Sequence, residues 1–330
     1  MAKEIVVSGM RSTNRLHLGN YFGALENFVK MQEEFNCYLF IADWHALTTH
    51  PDPAQLKPNV YGVIANYLAG GLVPDKCTIY AQSQLKSIAE LYLLFNMLAY
   101  KGELERTITF KEKARQFPDN INAGLLTYPV LMAVDILIHR AHKVPVGKDQ
   151  MQNIEMCRNF AERFNSRYGS ELFPVPIGFN FGEDLIKVPS LDGSGKMSKS
   201  GPIGNAIFLD DSNEEIRRKV MKAITDNTPT IHNAPKPESI ANLFDLMALV
   251  SSKDTIHHYE LSWNECTIRY GDMKQTLADD MIKFITPFRE KLASYDESYI
   301  QKILKLGADK ANESAESTMR QVRQLMGLHY

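Results

Sequence analysis

Short apolar runs alternate with helical patterns through the first half of the chain. The runs EIVVSG (4–9), CYLFIAD (37–43), CTIYAQS (77–83) and KVPVG (143–147) are rich in β-branched and aromatic residues and read as buried strands. Between them the apolar period lengthens to that of a helix. Over 20–35, Tyr21, Leu25, Phe28 and Val29 share one stripe, and over 54–69 Leu56, Val60, Val63, Ile64 and Tyr67 share another. This alternation predicts an α/β fold, a doubly wound parallel sheet with right-handed crossovers. After Pro202 the texture changes. From about residue 213 the pattern is helical, broken at DNTPTIHNAPKPES and near Gly271. The chain is therefore expected to divide into an α/β unit, 1–204, and an all-helical unit, 205–330.

Ligands of open parallel sheets sit beyond the carboxyl ends of the strands, and those ends are polar here. Ser8 and Gly9 follow the first run, Asp43 and His45 the second, Gly147 and Asp149 the fourth. The first strand leads into SGMRSTNRLHLGNYFGALENF, where Gly19 and Asn20 open a helix. Free N–H groups and the helix dipole would converge there on an anion, with Arg11 and Arg15 adding positive charge. The dinucleotide pattern Gly-x-Gly-x-x-Gly is not met. His17, between Leu16 and Leu18, suits a buried structural histidine as well as a catalytic one. A second candidate loop, DGSGKMSKSGP (192–202), sets two lysines in glycine and serine. It is not a P-loop, because Ser190 holds the first glycine position and Met197 follows Lys196. Asp135 interrupts the apolar face Leu131, Met132, Val134, Ile136, Leu137. A buried carboxylate needs a partner: a salt bridge, a capping contact or a substrate donor.

Composition narrows the class. The 330 residues are 44% hydrophobic and 23% charged, with a formal net charge of −2, so no global basic field marks a nucleic-acid partner. Cys37, Cys77, Cys157 and Cys266 stand singly, which suits a reducing compartment and argues against a disulfide framework or structural zinc. MAKEIVVSG lacks the apolar core of a signal peptide. LLTYPVLMAVDILI, interrupted by Asp135, is too short to span a bilayer. A soluble cytoplasmic protein with no membrane segment is expected.

HLGN (17–20) resembles the His-Ile-Gly-His signature of the class I aminoacyl-tRNA synthetases, and KMSKS (196–200) matches their second signature letter for letter, about 180 residues on. GNYFGAL (19–25), GELERTITFKEKAR (102–115), AGLLTYPVLMAVDIL (123–137), VPVGKDQMQNIEMCRNFAERFN (144–165) and TDN (225–227) look like the tryptophanyl-tRNA synthetases within that class. The resemblance implies a Rossmann-like catalytic domain over 1–204 and a helical anticodon-binding domain over 205–330. It implies ligation of L-tryptophan to tRNA(Trp) through an aminoacyl-adenylate, with ATP entering as its Mg²⁺ complex and no protein-held metal. His17, Lys196, Lys199 and Lys113 would be catalytic. ATP would be met by Arg11, Ser12, Thr13, Gly19, Asn20, Gly147, Lys148, Asp149, Val188, Lys196, Met197, Ser198, Lys199 and Ser200. Asp135 would accept the indole N–H, which is a donor only. Met132, Val144, Val146 and Val7 would form apolar walls, with His45 and Gln150 orienting the substrate.

Three positions depart from the family pattern: Asn20 replaces the second histidine, Arg11-Ser12-Thr13-Asn14 stands where many relatives read Gln-Pro-[Ser/Thr]-Gly, and Thr109 replaces a glutamine. Two other readings stay open, a tyrosine-specific ligase of the same subclass and a non-catalytic paralogue that binds tryptophan or RNA. The resemblance also implies a homodimer. It names no anticodon-reading residues, since the helical half has no basic or aromatic cluster.

Overall fold

Alternation along the strands decides the layering. In the first strand Val6 joins an apolar cluster on one face of the sheet and Val7 a cluster on the other. In the second, Cys37, Leu39 and Ile41 face the first cluster while Tyr38, Phe40 and Ala42 face the second. Both faces are covered, as a parallel sheet requires. The computed structural model describes residues 3–12, 15–116, 118–147, 150–179, 187–193, 195–198 and 204–330.

In chain order the elements are β1 (Ile5–Arg11), α1 (Leu18–Asn20) running through a π turn (Tyr21–Leu25) into α2 (Glu26–Glu34), β2 (Asn36–Ala42), α3 (Asp43–Leu47), α4 (Pro53–Ala69) and β3 (Cys77–Ala81). A 3-10 turn at Gln82–Gln84 leads to α5 (Lys86–Asn96), α6 (Lys101–Glu105), α7 (Ile108–Gln116), α8 (Ala123–Leu126) and α9 (Tyr128–Leu137). Then come β4 (Lys143–Pro145), α10 (Met151–Tyr168), β5 (Ile177–Phe179), α11 (Asn213–Met221), α12 (Glu238–Val250), α13 (Lys253–Asn264), α14 (Tyr270–Ser294) and α15 (Glu297–Leu325). No helix among the described residues is long and apolar enough to cross a membrane.

All strand pairs are parallel, in the order β3-β2-β1-β4-β5. The chain steps outward from β1 to β3, then returns to the other side of β1. The order reverses between β1 and β4, where such sheets open a crevice. The α/β expectation agrees with this architecture. Three details differ. The third strand stops at Ala81 and turns, the fourth stops at Pro145, and β5, only three residues with a central glycine, carries too short a pattern to predict.

The helices after residue 205 pack back on the sheet. Ile303 and Leu304 of α15 enter one cluster, and Ala311, Ala315, Met319 and Val322 enter the other. The helix thus lies along β3, an edge strand, and reaches both faces. Gly307 allows the approach: a Cβ there would stand 1.7 Å from the Ile79 carbonyl oxygen. We expect Gly307→Ala to displace α15 and to cost about 3 kcal/mol or more, read as a lower urea midpoint; an unchanged midpoint would contradict this packing.

Candidate active site

The strand ends are tied together by polar contacts. Asp43, at the end of β2, is buried and accepts from the N–H groups of Trp44 (2.9 Å) and Ser83 (3.0 Å) and from the Ser83 hydroxyl. Two residues on, the His45 N–H donates to Gln82 Oε1 at 3.3 Å. The ends of β2 and β3 are thereby held in one layer, with Gln82 turned inward and wholly buried.

Asp135 reaches this layer from α9 and is 1% exposed. His45 Nε2 donates to its Oδ2 at 2.8 Å, and Gln82 Nε2 bridges Oδ1 (2.8 Å) and Oδ2 (2.9 Å). Burial pushes the Asp135 carboxyl pKa up, and the hydrogen bonds from His45 and Gln82, with the His45 charge interaction, pull it back. A carboxylate offers about four acceptor positions; three contacts leave Oδ1 room for one more donor. His45 Nδ1, the other ring nitrogen, is buried and has no hydrogen-bond partner among the described residues. The Tyr128 ring meets His45 edge-on, centroids 4.4 Å apart. Met132 and Val146 pack half-buried against the cluster below, while Val7 and Val144 lie inside it. Gln150 caps α10, its N–H donating to the Gly147 carbonyl at 3.0 Å and its Oε1 accepting from Asn153 Nδ2 at 2.9 Å.

The two candidate loops meet above β1. His17 is buried and caps α1, with Asn20 Oδ1 accepting from the His17 N–H at 3.1 Å. A Cβ on Gly19 would lie 2.9 Å from the His17 ring and 3.6 Å from the Met197 carbonyl oxygen. Glycine at this position leaves room for the His17 ring, and the Met197 carbonyl lies at ordinary contact distance. That second segment is a hairpin: Met197 N–H donates to Val188 O and Ser190 N–H to Gly195 O, both at 2.8 Å, around Gly193 and Gly195 at φ of 69° and 108°. Val188 and Met197 are buried, Ser198 is half-buried and Lys196 is exposed.

Two cations, Arg11 and Lys113, are near neighbours. The Lys113 ammonium is shifted down by burial and by the nearby Arg11 cation. The same Arg11 charge opposes the upward push that burial gives the Tyr128 phenol. Ser12 Oγ, at the end of β1, is buried without a hydrogen-bond partner among the described residues. Buried unpaired groups are uncommon in proteins, and two of them, at Ser12 and His45, fall at strand ends. Thr13, Lys148, Asp149, Lys199 and Ser200 lie outside the described residues.

The family described as tRNA synthetases class I (W and Y) matches residues 2–286. The chain belongs to this family. It is 54% identical to the tryptophan–tRNA ligase of Porphyromonas gingivalis, over 98% of this chain and 99% of that protein, and 40% identical to that of Rickettsia felis over 98% and 99%. A crystal structure of tryptophanyl-tRNA synthetase from Campylobacter jejuni, complexed with ADP and tryptophan, superposes with a TM-score of 0.87 at 32% identity, covering 98% of this chain and 99% of that one.

Within this class I fold, Arg15 has a different job from the one the sequence suggests. Its guanidinium pairs with Asp210 (2.8 Å) and Asp211 (3.0 Å) and lies 4.4 Å over the Phe208 ring, so an exposed cation is balanced by two carboxylates. Asp211, fully buried, also accepts from Lys219 (2.5 Å) and from the Phe208 N–H (2.9 Å). This fixes Ala206–Leu209, whose backbone pairs with Leu16 and Leu18 on either side of His17. Gln82 and Tyr128 are residues that sequence reasoning missed. Gln82 closed a run read as strand, where an amide after five buried residues was the available signal.

Proposed function

We propose that this chain is a tryptophan–tRNA ligase. Its reaction has two steps: the tryptophan carboxylate attacks the α-phosphate of ATP and expels pyrophosphate, and a terminal ribose hydroxyl of tRNA(Trp) then attacks the adenylate carbonyl and expels AMP. The observation that carries the amino-acid assignment is the buried Asp135 carboxylate, anchored by two donors and still able to accept a third. An indole N–H donates and accepts nothing, so it complements that position. Such a pairing rejects analogues that lack the donor more strongly than an apolar pocket rejects a misfit. The full-length likeness to tryptophan–tRNA ligases supports the same assignment.

Adenylate formation asks for alignment and charge neutralisation rather than for a covalent enzyme intermediate. Lys196, Lys199 and Lys113 would neutralise the departing pyrophosphate, and His17 would contact the phosphates from the first loop. The glycine-rich hairpin suits contacts that strengthen as pyrophosphate leaves. Arg11, Ser12, Thr13, Gly19, Asn20, Gly147, Lys148, Asp149, Val188, Met197, Ser198 and Ser200 would frame the nucleotide. Mg²⁺ would arrive with ATP as part of the substrate. His45 and Gln150 would orient tryptophan between Met132, Val146, Val144 and Val7. Residues 1–204 would perform the chemistry and 205–330 would read the anticodon by stacking and base-edge contacts, in the cytoplasm where tRNA is charged.

The tyrosine reading keeps one argument, since a phenol hydroxyl also donates. The purified protein should catalyse tryptophan-dependent exchange of pyrophosphate into ATP and leave tyrosine inert; exchange with tyrosine alone, or tryptophan binding without exchange, would reverse the assignment. Lys196→Ala should lower kcat for exchange about a hundredfold while tryptophan affinity holds. We also propose a homodimer, supported by Leu93, Met97 and Tyr100 on α5 and just after it, which are 58%, 70% and 62% exposed. Sedimentation at micromolar concentration should give twice the mass of one chain, and Met97→Glu should halve it; a wild-type protein sedimenting as a single chain would remove the dimer.

A further inference from the structure

The amino-acid site is connected to the C-terminal helix through a second layer of buried polar groups. Tyr80 lies two residues before Gln82, and two residues along a strand advance about 6.6 Å and return to the same side. His139 lies four residues after Asp135, in the turn just past α9, about 6 Å further along. The matching advances let two rungs form between β3 and α9. The first is Gln82 to Asp135. The second is the Tyr80 hydroxyl with His139 Nε2, at 2.9 Å. The second rung continues outward, with His139 Nδ1 against Ser314 Oγ of α15 at 3.0 Å.

Every group needed for a fixed register is present. Tyr80 and His139 have no exposed surface, and Tyr38 of β2 stacks on the imidazole at 4.1 Å with 14° between planes. Burial lowers the His139 pKa to about 3, so the ring is neutral and has one N–H and one acceptor for two hydroxyl partners. Each ring nitrogen has its own hydroxyl. The two rungs also sense each other, since the Asp135 charge adds to the burial that raises the Tyr80 phenol pKa. A second contact, Asn312 Nδ2 to the Gln84 carbonyl at 3.2 Å, sets α15 against the turn that follows Gln82. Arg140, at a φ of 52°, follows His139 in the turn after α9 and sends the chain back towards β4.

We propose that His139 is a positioning residue for the amino-acid site: the Tyr80–His139–Ser314 chain sets α9 in register with β3 and α15, and so sets where Asp135 stands for the indole. This rests on the tryptophan-ligase reading. It goes further by making the C-terminal helix a determinant of amino-acid recognition. His139 does not touch the substrate and acts only through the placement of Asp135 and Gln82.

The test is tryptophan-dependent pyrophosphate exchange by His139→Ala, His139→Gln, Ser314→Ala and Tyr80→Phe, each run with tryptophan and with 3-benzothienylalanine, whose ring sulfur replaces the indole N–H. His139→Ala should raise KM for tryptophan about tenfold, as expected when a buried polar rung is lost, while kcat and KM for ATP stay within about twofold of wild type. KM for the sulfur analogue should barely move, so discrimination between the two amino acids falls. His139→Gln, which keeps a hydrogen-bonding group at the Nε2 position, should recover most of it, and Ser314→Ala should lie between. A folded His139→Ala with unchanged discrimination, or with equal losses for both amino acids, would overturn the proposal. If that variant does not fold, Ser314→Ala and Tyr80→Phe decide by the same ratio. Should the wild type show no exchange, the ligase reading fails, and calorimetric binding of the two amino acids to the same variants still decides the coupling.

Discussion

A carboxylate kept away from water must be met by donors or lose its charge, and the arrangement around Asp135 follows from that demand. Burial works against ionisation; His45 and Gln82 work for it. Neither donor is placed by local sequence. His45 comes from the end of β2, Gln82 from the turn after β3 and Asp135 from α9, so the three meet only when the parallel sheet and its crossover helix are formed. Asp43 bracing Ser83 holds the two strand ends at the spacing this requires. In the proposed site, recognition and folding would therefore share the same hydrogen bonds. Loss of Gln82 or His45 would leave a charge without its donor as well as a site without its shape.

The two candidate anion loops are built on another principle. There the backbone is brought close and kept adaptable, with the ionic anchor set back from it. Gly19 leaves room for the His17 ring where the first loop meets the Met197 carbonyl, and the second loop turns on glycines in the left-handed region. Rigidity comes from Asp211, which collects Arg15, Lys219 and a backbone N–H and clamps the segment paired beside His17. The cation the sequence offered as an anion ligand is thus a strut. Placing the rigid contacts behind the loop leaves Lys196 exposed on a hairpin whose buried edge, at Met197, is pinned.

Much of the sheet was legible, because four strands carry apolar runs with polar residues at their ends, and burial on both faces leaves that pattern little choice. Both loops were legible as candidate anion sites from glycine and charge, and the family from their order and distance. β5 was not, since three residues cannot display a period. Gln82 was absorbed into the strand before it. The pairing of Arg15 with Asp210 spans 195 residues of chain, and the docking of Ser314 on His139 spans 175. Such contacts depend on how helices return to the sheet, which periodicity does not encode. Asp135 stood out as anomalous at once, yet its sequence context could not separate a salt bridge from a substrate contact. The structure provides internal donors and keeps an acceptor position as well.

The central claim is that this remaining position on Asp135 receives the indole. Proton–nitrogen NMR of tryptophan labelled at the indole nitrogen and bound to the protein reads that bond directly. The account predicts an indole proton shifted downfield on binding and slow to exchange with water. A bound indole proton that keeps its free shift and exchanges rapidly would contradict it.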